Sequence, residues 1–323
     1  MNFVIVGAGA LGSIYAAYLA RAGHQVSLVA RGERAAALSK HGIAVVGEGA
    51  FTVRCNIVTQ PDTLKQADVA ILAIKTYDTA QALTWLGGLK VNSAMSVQNG
   101  VLKNQMLSKV FGPQTIVGAI GMLGGDVLPA EGDRPGAVRY SVVGPTVIGE
   151  PAGGESSRVK EIVNTFEQSG LKARASDEIT SVEWSKFVAW SGFSTVAVMT
   201  RLPTWRFMLD PDTALIAARV MRETAAVAIR HGIILQDSGF TSAAFINGSE
   251  ADAIKAVQSY GENRRVNAPG FRQSILQDAD RNRRLEVNET LDYTLKLAAE
   301  LGVPTPALDL CCRVLRVVSR AAG

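Results

Sequence analysis

The stretch NFVIVGAGALG, residues 2–12, decides the fold of the first half of the chain. An apolar, strand-like run leads directly into glycines spaced G-x-G-x-x-G, and the helical pattern SIYAAYLARAG follows. Such glycines permit a tight turn, close approach of a pyrophosphate and close helix packing, while the start of the helix attracts phosphate. The stretch predicts a dinucleotide site; the alternative is a glycine-rich turn without a ligand. The predicted cofactor-binding residues here are Gly7, Ala8, Gly9, Ala10, Leu11 and Gly12.

Beyond this stretch, short β-rich runs alternate with helical patterns, which is typical of a parallel sheet covered by helices. Each run is nearly continuous in apolar residues, as expected for strands buried on both faces. The stretch IAVVGEGAFTVRCNIV, residues 43–58, predicts an antiparallel hairpin at the edge of the sheet. The predicted strands are Phe3–Val6, Gln25–Ala30, Val69–Ile74, Ala94–Val97 and Thr115–Ile120.

The length of 323 residues exceeds the usual size of one hydrophobic core, so two domains are expected. Residues 124–154 are rich in Gly and Pro, and beyond Ser176 nearly every segment has helical periodicity. We therefore predict an α/β fold in which residues 1–176 form a Rossmann-type cofactor domain. Residues 177–323 form an all-helical domain that carries the substrate and catalytic groups.

The end of the second predicted strand indicates which dinucleotide is bound. An NAD-specific enzyme usually has Asp or Glu there, to hold the ribose hydroxyls. Here Arg31 follows Ala30, with Arg34 close behind. A carboxylate would repel a 2′-phosphate, whereas a guanidinium binds it bidentately. Arg31 therefore favours NADP(H); the alternative is an ordinary solvated loop arginine.

Two more polar residues follow predicted strands. Lys75 comes after VAILAI, and Asn99 comes after SAMSVQ. Ligands of open α/β sheets bind at the carboxyl ends of the strands, so both residues are predicted to lie at the cofactor site. The alternative is that each is a capping or turn residue, and Asn99-Gly100 does have the pattern of a turn.

Composition excludes several other classes of protein. The net charge of +4 is mild, and apart from Arg281–Arg284 the basic residues are scattered, which argues against nucleic-acid binding and suits an acidic small molecule. The three cysteines, Cys55, Cys311 and Cys312, fit neither a disulfide framework nor a metal site, so a reducing cytoplasm and no metal are expected. We expect no membrane association, because no stretch approaches the roughly 20 apolar residues of a span.

Reduction of a carbonyl needs a hydride donor and an acid that protonates the developing alkoxide. The three histidines lie where helices pass into loops, so we expect the acid to be another residue. Lys186 lies in SVEWSKFVAWSGF, where apolar neighbours would disfavour its charged form and so favour proton donation near neutral pH. The alternative is a lysine that extends its amine to solvent. Glu286 is a second candidate; its alternatives are a surface ion pair and a helix cap. The histidines are His24, His41 and His231.

These features together resemble the ketopantoate reductase (2-dehydropantoate 2-reductase) family, NADPH-dependent enzymes of pantothenate biosynthesis, over essentially the whole chain. The matching features are GAGALGS, Arg31, Lys75, QNG at Asn99, Pro135–Val138, DEITSVEWSKF with Trp184 and Lys186, Glu223, SILQD from Ser274, and LEVN with Glu286. The resemblance implies that Lys186 is the proton donor to the substrate carbonyl and that Glu286 helps to hold substrate and cofactor. It also implies that Ser274 binds the substrate carboxylate, that Asn99 lies beside cofactor and substrate, and that Lys75 approaches the cofactor.

Three positions depart from the family's pattern. Four and eight residues after Lys186 the family has asparagines that contact substrate; this chain has Trp190 and Ser194, which helical spacing places on the same face. Three residues before Ser274 it has Phe271 in place of another asparagine. We predict that Trp190 and Ser194 bind substrate. These replacements remove hydrogen-bonding capacity and add apolar bulk, which favours a more apolar substrate.

The sequence thus predicts an NADPH-dependent oxidoreductase that reduces 2-dehydropantoate, or a related 2-oxo acid, to the 2-hydroxy acid. One alternative is an NADP-dependent dehydrogenase of another hydroxy acid or an opine-like substrate. Another is a non-catalytic NADP-binding sensor, which the missing amides favour and the presence of Lys186 and Glu286 opposes. A homodimer is left open, because the apolar faces of the late helices suit either a core or an interface.

Overall fold

A computed structural model describes residues 1–129, 136–237 and 243–322, and the chain forms two compact units. The first comprises Met1–Asn99 and Lys103–Thr180, and the second comprises Gly100–Leu102 and Ser181–Gly323. The division at Thr180 lies close to the predicted boundary after Ser176, but the sequence did not indicate that the loop after Asn99 belongs with the second unit. Pro135 lies outside the described residues.

The strands, in chain order, are β1 (Asn2–Val6), β2 (Gln25–Val29), β3 (Ile43–Gly47), β4 (Phe51–Val53), β5 (Asn56–Val58), β6 (Gln66–Leu72), β7 (Lys90–Ser96), β8 (Gly118–Gly121), β9 (Gly124–Val127), β10 (Val138–Val142), β11 (Thr146–Gly149) and β12 (Ala173–Ala175). The helices are α1 (Ala10–Arg21), α2 (Gly32–His41), α3 (Thr79–Trp85), α4 (Lys103–Phe111), α5 (Ser157–Gln168), α6 (Ile179–Thr200), α7 (Thr204–Leu209), α8 (Pro211–Arg230), α9 (Ala243–Ile246), α10 (Glu250–Asn267), α11 (Ser274–Asp280), α12 (Leu291–Leu301) and α13 (Pro306–Ala321).

A five-stranded parallel sheet forms the centre of the first unit, in the order β5-β2-β1-β6-β7. Successive residues of β1 face opposite sides: Phe3 and Ile5 pack into one apolar cluster, and Val4 and Val6 into another. Because both faces are covered, the strand is apolar at every one of these positions. The predicted α/β fold with a Rossmann-type amino-terminal sheet is confirmed.

Two details of the predicted sheet are wrong. Thr115–Ile120 is not a strand of the parallel sheet; Ile116 makes one isolated bridge to Ala94, and β8 pairs antiparallel with β11 in a separate three-stranded sheet. The predicted hairpin does form between β3 and β4, but it belongs to a four-stranded sheet with β10 and β9. Arg54 donates to carbonyls at the end of α2, and there the chain leaves the hairpin for β5, which joins the parallel sheet.

The second unit is helical, as predicted, and α6 is its most buried helix. One side of α6 packs into a cluster with Trp184, Phe187 and Trp190, and another side packs around Phe193. A helix that is apolar all round lies inside a core, which explains why α6 lacks a polar face. No helix in the described ranges is long and apolar enough to cross a membrane.

Helix α12 begins at Leu291, five residues after Glu286. Residues 281–290 form turns and irregular structure, and Asn282, two residues after the end of α11, has a left-handed φ of +53°. Asn tolerates this conformation well, so α11 ends here and the helical pattern resumes later. Glu286 therefore lies in an irregular segment, where it is nevertheless 3% exposed.

Candidate active site

The three glycines of the loop between β1 and α1 meet different constraints. Gly7 has a φ of +111°, and a Cβ there would lie 2.5 Å from Cγ2 of Ile74. A Cβ on Gly12 would overlap the carbonyl oxygen of Gly7. A Cβ on Gly9, by contrast, would meet no atom within 4 Å, and Gly9 is the N-cap of α1 with no side-chain cap. The loop itself requires Gly7 and Gly12, whereas Gly9 leaves open space at the positive end of the helix.

The carboxyl ends of four strands line up beside this loop. Val6 of β1 is in register with Val29 of β2 and with Leu72 of β6, and Leu72 is in register with Ser96 of β7. The segments that follow these strands hold the predicted cofactor residues of the first unit, so those residues leave the sheet at one edge, whereas Glu286 belongs to the second unit. The remaining residues of the glycine loop, Ala8, Ala10 and Leu11, pack against the core.

The side chain of Arg34 bonds directly to the glycine loop. Its Nε donates to the carbonyl oxygen of Ala8 at 3.1 Å, its Nη2 donates to Oγ of Ser13 at 3.1 Å, and its Nη1 donates to the carbonyl oxygen of Gly136. Burial lowers the pKa of Arg34 from its ordinary value, but a guanidinium stays charged at neutral pH. Within the described ranges its partners include no carboxylate. The loop therefore carries a half-buried, uncompensated positive charge, which suits an anion.

Arg31 follows β2 and is exposed. Its Nη2 lies 3.4 Å from Oδ2 of Asp78, and its Cζ lies 5.6 Å from the ring centroid of Trp85. Asp78 and Trp85 stand at the two ends of α3. The residue predicted to bind a 2′-phosphate thus lies at the expected edge of the sheet, beside a carboxylate that the sequence analysis did not single out.

Lys75 and Asn99 follow β6 and β7 and are both half-buried. Lys75 immediately precedes a 3-10 turn at Thr76–Asp78. Asn99 is followed by Gly100, whose φ is +86° and where a Cβ would lie 2.9 Å from Cγ2 of Thr290. A glycine is therefore needed directly after Asn99, where the chain bends.

A buried network holds the segment that carries Asn99. Nε2 of Gln98 donates to the carbonyl oxygen of Ile74 at 3.0 Å and to Oγ1 of Thr79 at 2.8 Å. Nζ of Lys103, a residue only 3% exposed, donates to the carbonyl oxygens of Gln98 at 3.2 Å and Ala119 at 2.6 Å. The backbone that precedes Asn99 is thus fixed by side chains from neighbouring segments.

In the second unit, Lys186, Trp190 and Ser194 follow one another at four-residue intervals along α6. Lys186 is half-buried, and the ring of Trp190 stacks on Phe187 with centroids 5.7 Å apart. Nε1 of Trp190 and Oγ of Ser194 are buried without a hydrogen-bond partner among the described residues. A buried polar atom without a partner costs about 1–3 kcal/mol, so this face suits a ligand or water that supplies an acceptor.

One apolar cluster carries the segments of the other predicted residues. It includes Trp184 and Phe187 beside Lys186, Leu285 and Val287 on either side of Glu286, and Ile275 next to Ser274. Ser274 is exposed at the start of α11. Segments far apart in sequence are therefore held by a single core within this unit.

Three features of the site were not found by sequence reasoning: the bonds of Arg34 to the loop, the position of Asp78, and the network of Gln98 and Lys103. Each depends on partners distant in sequence, for example Gly136 for Arg34 and Ala119 for Lys103. No local pattern of residues indicates such contacts. Phe271, by contrast, was noted as a departure, and its ring lies 4.7 Å from Cζ of Arg264.

Comparisons with known proteins agree with this architecture. Residues 3–153 match the family described as Ketopantoate reductase PanE/ApbA, and residues 178–319 match Ketopantoate reductase PanE/ApbA C terminal. Among curated proteins, a 2-dehydropantoate 2-reductase of Mesorhizobium japonicum is 28% identical, and the match covers 100% of this chain and 98% of the relative. A 2-dehydropantoate 2-reductase of Archaeoglobus fulgidus is 27% identical over 93% of this chain and 91% of the relative.

Solved structures share the fold. A PanE/ApbA family ketopantoate reductase from Ralstonia eutropha has a TM-score of 0.83 and 25% identity, covering 100% of this chain and 99% of its own. A D-mandelate dehydrogenase in a ternary structure with NADH and anilino(oxo)acetate has a TM-score of 0.85, covering 100% of this chain and 99% of its own. Its identity is 19%, so it shows the fold alone.

Proposed function

The chain belongs to the ketopantoate reductase PanE/ApbA family, and on that premise we propose that it reduces 2-dehydropantoate, or a related and more apolar 2-oxo acid, with NADPH. The family makes it an oxidoreductase that acts on a CH–OH group. The observation that carries the finer proposal is the face of α6, where half-buried Lys186 is followed by two buried donors with no acceptor among the residues that the structure describes.

Residues 1–176 would bind the dinucleotide at the edge of the parallel sheet. The open space at Gly9 and the uncompensated charge of Arg34 suit its phosphates, and Lys75 and Asn99 lie at the same edge. Arg31 would bind the 2′-phosphate, and no Asp or Glu directly follows β2 to hold a free 2′-hydroxyl. A protein of the same fold binds NADH, so the choice of NADPH rests on Arg31 and not on the fold.

Residues 177–323 would supply the chemistry. NADPH supplies the hydride for the carbonyl carbon. Lys186 donates a proton to the carbonyl oxygen as negative charge develops there, and Glu286, buried in the same core, helps to hold substrate and cofactor. The exposed hydroxyl of Ser274 binds the substrate carboxylate.

The substrate proposal extends to 2-oxo acids larger than 2-dehydropantoate. Trp190 and Ser194 offer one donor each, and the Trp190 ring adds apolar surface where the family has an amide. The fold also serves a D-mandelate dehydrogenase that binds anilino(oxo)acetate. We therefore include 2-oxo acids with an aromatic or branched side chain among the substrates.

The test is the oxidation of NADPH, followed at its near-ultraviolet absorbance, with 2-dehydropantoate and a panel of bulkier 2-oxo acids. We expect turnover of at least one of these acids, with formation of its 2-hydroxy acid. Turnover of bulky acids alone would assign Trp190 and Ser194 to specificity. Binding of NADPH without turnover of any acid would contradict the proposal and favour a sensor.

A further inference from the structure

The ion pair between Arg31 and Asp78 bears on which dinucleotide the site prefers. We propose that Asp78 limits the preference for NADPH over NADH and is thus a specificity-determining residue of the cofactor site. The inference rests on the proposed function, since it requires a dinucleotide at the glycine loop.

Arg31 has one hydrogen-bond acceptor among the described residues. Its Nη2 lies 3.4 Å from Oδ2 of Asp78, and the two side chains are 58% and 36% exposed. An exposed pair of this length is held weakly, so a phosphate can displace the carboxylate. A 2′-phosphate that bonds to Arg31 therefore competes with Asp78 for the same guanidinium.

Once a 2′-phosphate has displaced the Asp78 carboxylate from Arg31, that carboxylate stays near the phosphate. Asp78 ends the 3-10 turn Thr76–Asp78 and immediately precedes α3, and its backbone N–H donates to the carbonyl oxygen of Lys75 at 3.0 Å. Its side chain does not cap α3. With the backbone fixed on both sides, the negative charge remains within a few ångströms of Arg31 and repels a dianionic phosphate.

Neighbouring groups reduce this repulsion only in part. Arg34 is already bonded to Ala8, Ser13 and Gly136, so its guanidinium is held at the glycine loop and does not approach Asp78 within pairing distance. Lys75 adds a positive charge three residues before Asp78. NADH has no 2′-phosphate to bond to Arg31, so the charge of Asp78 affects NADPH far more than NADH.

Calorimetric titration of the full chain with NADPH and with NADH tests the inference. Asp78→Asn keeps the size of the side chain and removes its charge. We expect it to lower the Kd for NADPH about five- to tenfold at low salt and to leave the Kd for NADH within about twofold. This gain in affinity for NADPH should be smaller at high salt, because salt screens exposed charges. Glu161→Gln, at an exposed position of α5, makes the same charge change elsewhere in this unit and should alter neither Kd.

Several results would overturn the inference. An unchanged Kd for NADPH in Asp78→Asn would show that the carboxylate does not face the 2′-group, and weaker binding would show that Asp78 holds Arg31 ready for the phosphate. Equal tightening of both dinucleotides would indicate a general charge effect. Asp78→Ser provides a second variant, with circular dichroism to confirm folding. If the unmodified protein bound neither dinucleotide, the proposed function itself would fail, whereas normal binding with an inert Asp78 would reject this inference alone.

Discussion

The glycine loop of the first unit and the α6 face of the second show two ways of building a site. At the loop, the backbone restricts which residues are tolerated: Gly7 has a positive φ, and Gly12 has no room for a Cβ. Arg34 also donates to the carbonyl oxygen of Ala8 in this loop. On α6, the helix itself would accept many side chains, and two buried donors, on Trp190 and Ser194, have no acceptor among the described residues. The first site is complete as a backbone structure, whereas the second requires a ligand or water to satisfy its polar atoms.

The largest effect is expected on α6, where we propose that Lys186 donates the proton. Replacing Lys186 by Ala should lower kcat about 10²- to 10⁴-fold, because the proton for the alkoxide is lost, and should leave the Kd for NADPH within about twofold. Stopped-flow turnover and calorimetry measure the two quantities. Lys296→Ala removes an exposed lysine of α12 and should change neither. A normal kcat in Lys186→Ala would remove this residue from the reaction.

Two glycine variants separate the structural role of the loop from its role in binding. Gly7→Ala should destabilise the first unit by about 2–4 kcal/mol. The alanine would be held at a strained, positive φ, and its Cβ would clash with Cγ2 of Ile74. Gly9→Ala should change stability by less than about 1 kcal/mol and still weaken dinucleotide binding at least about tenfold, because its Cβ occupies the open space. Thermal unfolding and calorimetry report the two effects. Normal binding by Gly9→Ala would mean that phosphates do not approach here.

Arg31, at the edge of the sheet next to the loop, should make the site selective for NADPH over NADH. Arg31→Ala should raise the Kd for NADPH about 10- to 100-fold, because a charge-assisted, bidentate bond is lost, and raise that for NADH less than about threefold. Fluorescence titration with both dinucleotides gives the ratio. Equal weakening of the two would show that Arg31 serves the whole cofactor and not its 2′-phosphate.

The fold was predictable where its signals are local. Strand β1, the glycine loop and α1 follow from adjacent residues, and the end of β2 locates Arg31. The sheet assignments that failed depend on distant partners: β8 pairs with β11, and β3 pairs with β10. The sequences of β8 and β3 resemble strands of the parallel sheet in apolar content, so periodicity could not assign these two strands to separate sheets.

The candidate site divides in the same way. The spacing of Lys186, Trp190 and Ser194 gives their common face directly, because residues four apart lie on the same side of a helix. Glu286 is buried in an irregular segment, and its neighbours share a core with α6. Both facts arise from packing among five helices and the turn before α12. Asp78 beside Arg31 likewise requires the register of β2 and β6 against β1.

The smallest effects are expected at the two unpartnered donors. Ser194→Ala keeps a small side chain and should alter stability by less than about 1 kcal/mol, since Oγ bonds to none of the described residues. Trp190→Phe keeps an aromatic ring but removes part of a buried side chain, so it should cost about 1–2 kcal/mol. If these donors bind substrate, KM should rise about three- to tenfold in each variant with kcat less affected. Steady-state kinetics separates the two parameters. An unchanged KM in both would place the substrate elsewhere.

The most direct test of the account follows an isotope from cofactor to product. The protein is incubated with 2-dehydropantoate, or with the best acid of the panel, and with NADPH that carries deuterium at both C4 positions of the nicotinamide. The account predicts a 2-hydroxy acid with one deuterium at C2, formed by the unmodified protein and by Lys296→Ala but scarcely by Lys186→Ala. Tight binding of NADPH with no labelled hydroxy acid from any substrate would contradict it.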